Sequence, residues 1–541
     1  MNRRFLPRGM SQPNDGSGRA PVAIVRPTTS VTSGVAVTQK LVSASVAFGN
    51  LLKGTFGPNG LDKMLYKTNG ETAVTNDGAK IVAELLVKHP AAKAFVQLAK
   101  SQENACGDGV TGCLIFASEL MRESGVLLEK GLHPLVLVNG FREAMDKTIQ
   151  VLMNHADVVN ITDEGILQSV ARTAMTGTSV ESVGKQLADI VVKAAIHVAK
   201  QNDDYYSVNI EQVRMAKKGI GSLSDTTLIE GVIIDKNLDL ERLPRNLSAG
   251  KVVVFSCPLE IEKTSYDSEI EISTTEQWVS FMDAEEAILE NKAQSIIDSG
   301  ASMVFCAETI DSKILHRLAD NDIFALASID KSGAEDVALA TGALMIDHID
   351  GIDENTLGSF ESMVVESYDS DEGRRDRLYL NVGVSSGLTT IDVCGAGGVA
   401  SEEFVRGIYD ALNSVASSIE SGSVLVGGGN AHITAALAMR EHAESIAGRE
   451  RLAIEAFARS LEAVPATLIV NSGNNLLDGL LELRSMVRNN LPGSGIDAEG
   501  KPRQLTEVWE CSDTILHGLE AACETACGLL RVDQVISARG D

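Results

Sequence analysis

Apolar residues recur at three- and four-residue spacing through four early stretches of the chain. These are VTQKLVSASVAFGNLLKGTF at 37–56, HPAAKAFVQLAKSQENA at 89–105, CLIFASELMRESGVLLEKG at 113–131 and HPLVLVNGFREAMDKTIQVLMNHA at 133–156. That period predicts helices with one buried face. Glycine-rich breaks, FGPNG at 56–60 and CGDGVTG at 106–112, separate them. From about residue 161 the pattern changes. ESVGKQLADIVVKAAIHVAK still reads as helix, but TLIEGVIIDK and GKVVVFSC are short β-branched runs bounded by turn residues. Strand and helix then alternate to about residue 390, which predicts an α/β unit. Beyond about 400 long helices return. The order helical, mixed, α/β, mixed, helical predicts a middle unit inserted into one built from both ends of the chain.

The 541 residues exceed one compact core and suggest three or four domains. Aromatics are only 4%, so the cores must rest on Ala, Val, Ile and Leu. A net charge of −27 argues against nucleic acid and anionic membrane surfaces as partners. No apolar run reaches the roughly 20 residues that a bilayer span needs. MNRRFLPRGMSQPNDGSGRAP lacks the apolar core of a secretory signal and reads as an exposed tail. Eight scattered cysteines fit a cytosolic chain with free thiols. Cys523 and Cys527, four apart on a helix, could share a metal or simply be buried; nothing nearby completes a metal set.

Three loops share one chemical logic. GTFGPNG at 54–60, TNDGAK at 75–80 and GDGVTG at 107–112 combine glycine with turn chemistry, the last two with an adjacent Asp. Such loops are ordinary turns, or they bring backbone amides onto a phosphate while the carboxylate meets Mg²⁺. GGG at 427–429 is a further close-approach loop, and no Walker A lysine follows any of them.

The motifs together, in one order, carry a resemblance. FGPNGLDKML at 56–65, TNDGAKI, HPAAK, GDGVT, LHP at 132–134, VGGGN at 426–430, GRERLAIEAFARSLEAVPATLIVNSG at 448–473, GID at 495–497 and LLRVDQVISAR resemble the group II chaperonins. That family comprises the archaeal thermosome and the eukaryotic cytosolic chaperonin, and the resemblance spans about residues 36–541. It implies a multi-domain α+β and α/β chaperonin fold. A tail at 1–35 would precede an equatorial ATP-binding domain at 36–162 and 425–541. An intermediate domain would occupy 163–232 and 388–424, and an α/β apical domain 233–387, with a lid protrusion at about 262–293.

The resemblance also implies ATP and Mg²⁺ as cofactors. Asp108 would hold the metal, and Asp77 and Asp410 would act on the attacking water. Thr55, Gly57, Pro58, Gly60, Gly78, Gly109, Val110, Thr111 and Gly112 would surround the phosphates. Gly428, Gly429 and Asp497 would approach the sugar and base. Unfolded proteins would be clients, and copies or paralogues of the chain would complete stacked rings in the cytoplasm. Substrate contacts would be sought at Ile296, Ile297, Ile314, Leu315 and Leu318.

Several positions depart from the family pattern. Val110 and Gly112 stand where hydroxyls are usual, Lys80 ends TNDGAK, and Thr178 in MTGTS takes the place of a phosphate-sensing lysine. His432 replaces an acidic residue, and CGAGG at 394–398 lacks an arginine. A structural ring subunit that hydrolyses ATP weakly or not at all is the alternative these departures raise.

Overall fold

The computed structural model describes residues 30–66, 70, 72–202, 205–261, 274–370, 373–395 and 399–537. Helices α1 (Val35–Lys53), α2 (Gly78–Glu84), α3 (Pro90–Cys106), α4 (Val110–Glu129) and α5 (Pro134–His155) come first. Helices α6 (Glu164–Met175) and α7 (Gly184–Val198) follow. Next come α8 (Thr275–Asp298), α9 (Ser312–Asp320) and α10 (Lys331–Thr341), set among strands. Helix α11 (Val399–Ser421) leads back to α12 (Asn430–Ser445), α13 (Glu450–Leu461), α14 (Ala463–Asn471), α15 (Leu476–Arg488) and α16 (Ser512–Leu530).

The early and late helices share one core. Phe457 of α13 packs edge-on against Phe116 of α4, with ring centroids 5.3 Å apart, and against Phe141 of α5 at 6.0 Å. All three rings are fully buried. At Gly140 of α5 an added Cβ would stand 2.5 Å from the Cβ of Ala453, so glycine lets α5 and α13 touch. Cys523 and Cys527 lie in this core, their thiols directed at the Phe141 and Val138 carbonyls. No metal-binding group of three such ligands occurs among the described residues. These two cysteines are packing groups.

A second core gathers α6, α7, α11 and a three-stranded sheet of Val213–Lys218, Thr389–Cys394 and Thr227–Ile229. Two further cores flank a seven-stranded mixed sheet. In it Asn246–Phe255, Met303–Cys306 and Phe324–Leu326 run parallel, while Gly358–Ser370, Gly373–Asn381 and Gly231–Asp235 pair antiparallel. Residues Val252–Phe255, Met303–Cys306 and Phe324–Leu326 are buried on both faces, as continuous apolar runs require. Arg377, wholly buried, ties the two sheets together. It bonds Asp392 at 2.5 Å, Asp235 at 3.2 Å and the Lys217 carbonyl at 3.1 Å, and the Tyr379 hydroxyl also donates to Asp392.

The structure corrects two expectations. The expected tail reaches residue 35, whereas Ser30–Ser33 forms a strand antiparallel to Gln534–Ser537, and α1 begins at Val35. Ile296, Ile314, Leu315 and Leu318 are buried where α8 and α9 pack on the sheet, and Ile297 packs against the same core, so these are not a free contact face. The exposed apolar residues are instead Trp278, Val279, Phe281 and Met282 on the first half of α8. Of the expected protrusion, 262–273 lies outside the described residues.

Phe457→Ala should cost about 3–5 kcal/mol, because the vacated ring space borders α4 and α5 together. Urea unfolding followed by near-ultraviolet circular dichroism measures it.

Candidate active site

Four residues of α11 form one helix face. Glu403, Arg406, Asp410 and Ser414 are spaced three and four apart, which stacks their side chains in a row. Three of them meet the helical core directly. The Glu403 carboxylate accepts from Thr75 Oγ1 at 3.2 Å and Lys80 Nζ at 2.5 Å. Arg406 forms an ion pair with Asp77. Ser414 Oγ donates to Asp108 Oδ2 at 2.9 Å. Asp410, between these contacts, lines a cavity of about 600 Å³.

Three helix N-termini border the same cavity. Asp77 caps α2, accepting from the amides of Ala79 at 2.9 Å and Lys80 at 3.2 Å. Gly109 precedes α4 with φ +79°, and Gly429 precedes α12 with φ +75°; both are left-handed turns that suit glycine. Asp108 Oδ1 accepts from the Gly109 amide at 2.6 Å. Free amides at helix starts are ready partners for an anion.

Most expected site residues are brought together. Thr55, Gly57, Pro58, Asp77, Gly78, Asp108, Gly109, Val110, Thr111, Gly112, Asp410, Gly428, Gly429 and Asp497 all line the cavity. Gly60 does not. Its amide donates to the Gly57 carbonyl at 2.9 Å, and an added Cβ would fall 2.2 Å from the Thr55 oxygen, so Gly60 closes the turn behind the wall. Asp497 reaches the wall, but its carboxylate holds the amides of Glu499 and Lys501 and the Arg503 guanidinium, each at 2.9 Å. Helix α4 starts inside the GDGVTG motif rather than after it, because Gly109 makes the cap. Val110 is consequently a buried first-turn residue.

Electrostatics single out the aspartates. Burial raises the Asp410 carboxyl well above the usual range, and Asp108, Asp77 and Glu103 push it the same way. Burial also raises Asp108, opposed by the Gly109 amide and the Ser414 hydroxyl. Glu103 is pushed to about 7 by loss of water and by Asp77 and Asp108, with Arg406 pulling down. Glu510 reaches about 7 through burial. His432, in the cavity wall, falls to about 4 through burial and stands neutral near pH 7. These crowded carboxylates beside free amides fit an anion together with a divalent cation. Because no three-ligand protein cage exists among the described residues, that cation would share its shell with the anion and water.

Sequence reasoning missed Glu103, Arg406, Ser414 and Glu510. Counting by fours from Asp410 along α11 reaches both Arg406 and Ser414, so that signal was present. Glu103 and Glu510 carry none, since a single carboxylate on a helix or short strand is ordinary. The departures also resolve. Lys80 pairs with Glu403 rather than Asp77. The Thr178 hydroxyl donates to the Met175 carbonyl at 2.6 Å. Beside Gly112 lies Phe56, 3.6 Å from where a Cβ would stand.

The TCP-1/cpn60 chaperonin family model matches residues 48–540. A thermosome subunit of Methanopyrus kandleri is 36% identical over 506 residues, covering 92% of this chain and 91% of that protein. The thermosome subunit beta of Archaeoglobus fulgidus is 34% identical over 523 residues, covering 96% of this chain and 95% of that protein. The chain belongs to the TCP-1/cpn60 chaperonin family, in the group II branch that its thermosome relatives represent.

Gly109→Ala should destabilise by about 1–3 kcal/mol, since its φ is positive and an added Cβ would meet Thr514 Cγ2 at 2.7 Å. Ser414→Ala, which removes one hydrogen bond, should cost about 1 kcal/mol. Paired urea midpoints check the ranking.

Proposed function

We propose that this chain is an ATP-hydrolysing subunit of a double-ring protein-folding cage with a built-in lid. One observation carries the reading: a single face of α11 sets Asp410 in a cavity that already holds Asp77, Asp108 and three helix N-termini. Amides of α4 and α12, whose first turns carry no side-chain cap, bind phosphate oxygens, and Gly57, Gly109, Gly428 and Gly429 allow close backbone approach. Asp108 would hold Mg²⁺, which would supply positive charge to offset that on the phosphoryl group. Asp77 and Asp410 orient the water and accept its proton as its oxygen bonds to the γ-phosphorus and the bond to the leaving nucleoside diphosphate breaks. Glu510 and Asp497 line the same cavity, Asp497 toward the sugar and base on this reading.

The same reading assigns the domains. The core shared by early and late helices is equatorial, the core around α6, α7 and α11 is intermediate, and the seven-stranded unit is apical. Exposed Trp278, Val279, Phe281 and Met282 on α8 meet unfolded clients or neighbouring lids. Copies or paralogues of the chain complete the rings in the cytoplasm. The net charge of −27 disfavours nucleic acid, and among the described residues no helix is long and apolar enough to cross a membrane.

A second reading has one specific support. Thr178 engages the Met175 carbonyl and offers no cation to a phosphate, and Val110 offers no hydroxyl. On that reading the chain is a ring subunit that binds nucleotide and turns it over weakly or not at all.

Phosphate release by the purified chain, compared with Asp77→Ala and Asp410→Ala, separates the two. The first reading expects turnover that falls roughly 100-fold or more in either variant. Rings in negative-stain images without turnover would favour the second. Monomers alone would overturn both.

A further inference from the structure

Two ion pairs cross between α2 and α11, and their signs are reversed on each side. The start of α2 presents an acid and, three residues on, a base: Asp77 and Lys80. Helix α11 presents an acid and, three residues on, a base: Glu403 and Arg406. Lys80 meets Glu403, and Asp77 meets Arg406. The Lys80 and Glu403 side chains are only 14% and 16% exposed, so water screens this pair weakly. Thr75 adds a hydroxyl to the second Glu403 oxygen.

The pattern admits one axial register. Sliding α11 by one turn would set Asp77 against Glu403, or Lys80 against Arg406, and like charges would then be partly buried together. In the register observed, Asp410 lies two turns beyond Glu403 and enters the cavity, and Ser414 one turn further reaches Asp108. We infer that Lys80 is a positioning residue: with Glu403 it fixes the register of α11 and thereby the place of Asp410 over the phosphate site. The inference rests on the ATP reading for its consequence, but the clasp itself is a contact between protein groups. It also gives TNDGAK a purpose. Thr178 supplies no cation at this junction, whereas Lys80 supplies one from α2 and holds α11 through protein charge.

Hydrogen exchange of the purified full chain without nucleotide, read by mass spectrometry, tests the clasp independently of catalysis. Lys80→Thr and Glu403→Gln should each speed amide exchange in 78–84 and 403–414 by about tenfold or more. Lys80→Arg should keep the protection, and the charge exchange Lys80→Glu with Glu403→Lys should restore it. Turnover measured beside it should show a kcat loss of roughly 10- to 100-fold for Lys80→Thr with KM little changed, again recovered by the exchanged pair. Unaltered exchange in both single variants, or protection that the exchanged pair fails to recover, would overturn the inference. Absent turnover in the unmodified chain with the exchange pattern intact would count against the ATP reading and leave the clasp standing. Turnover abolished by Asp410→Ala but indifferent to Lys80→Thr would retain the ATP reading and reject the clasp's positioning role.

Discussion

Asp77, Asp108 and Asp410 repel one another, and Asp108 and Asp410 are also buried away from water, so the protein must supply structure to hold them in one place. Left alone, such groups would take up protons or move apart. Asp77 is held by two α2 amides and Arg406, and Asp108 by the Gly109 amide and Ser414. Asp410 has no such hydrogen bond among the described residues, only the nearby charge of Arg406, and depends on the placement of α11. Helix α11 in turn is packed against α6 and α7 in a separate core. The charge crowding therefore couples two cores through one helix face, which is why that face carries Glu403, Arg406, Asp410 and Ser414 together.

Periodicity showed the helices well because their burial is one-sided: 37–56 and 133–156 both became helices with apolar faces inward. Boundaries were less visible. The three glycines of GDGVTG look like loop and point to a helix start after them, whereas a positive φ at Gly109 is a cap and the helix begins at once. Ile296, Ile314, Leu315 and Leu318 illustrate the inverse error. An apolar stripe looks the same whether it awaits a partner or already has one, and here α8 and α9 bury theirs against the sheet.

The site was legible where several motifs constrained each other. Asp77, Asp108 and the glycines were found because their types and order are jointly unusual. Glu103, Glu510 and the Lys80–Glu403 pair were not, because their meaning lies in contacts between residues far apart in the chain. Asp497 shows the limit of residue type as a guide: it lines the cavity, but its carboxylate is committed to its own turn and to Arg503.

Phe457 has a further bearing, on how the chain comes to be folded at all. Its partners Phe116 and Phe141 are synthesised long before it, with about 340 residues separating the first from the last. At about 5–20 residues per second, α4 and α5 wait roughly 17–70 s for the ring that completes their packing. The seven-stranded unit, contiguous in sequence, has all its strands available within that interval. The order in which the cores can be completed on the ribosome thus runs from the middle outward, and the apolar faces of the first helices stand uncovered for the longest time. A chain of this family is thus, during its own synthesis, the kind of unfinished protein that needs protection from aggregation.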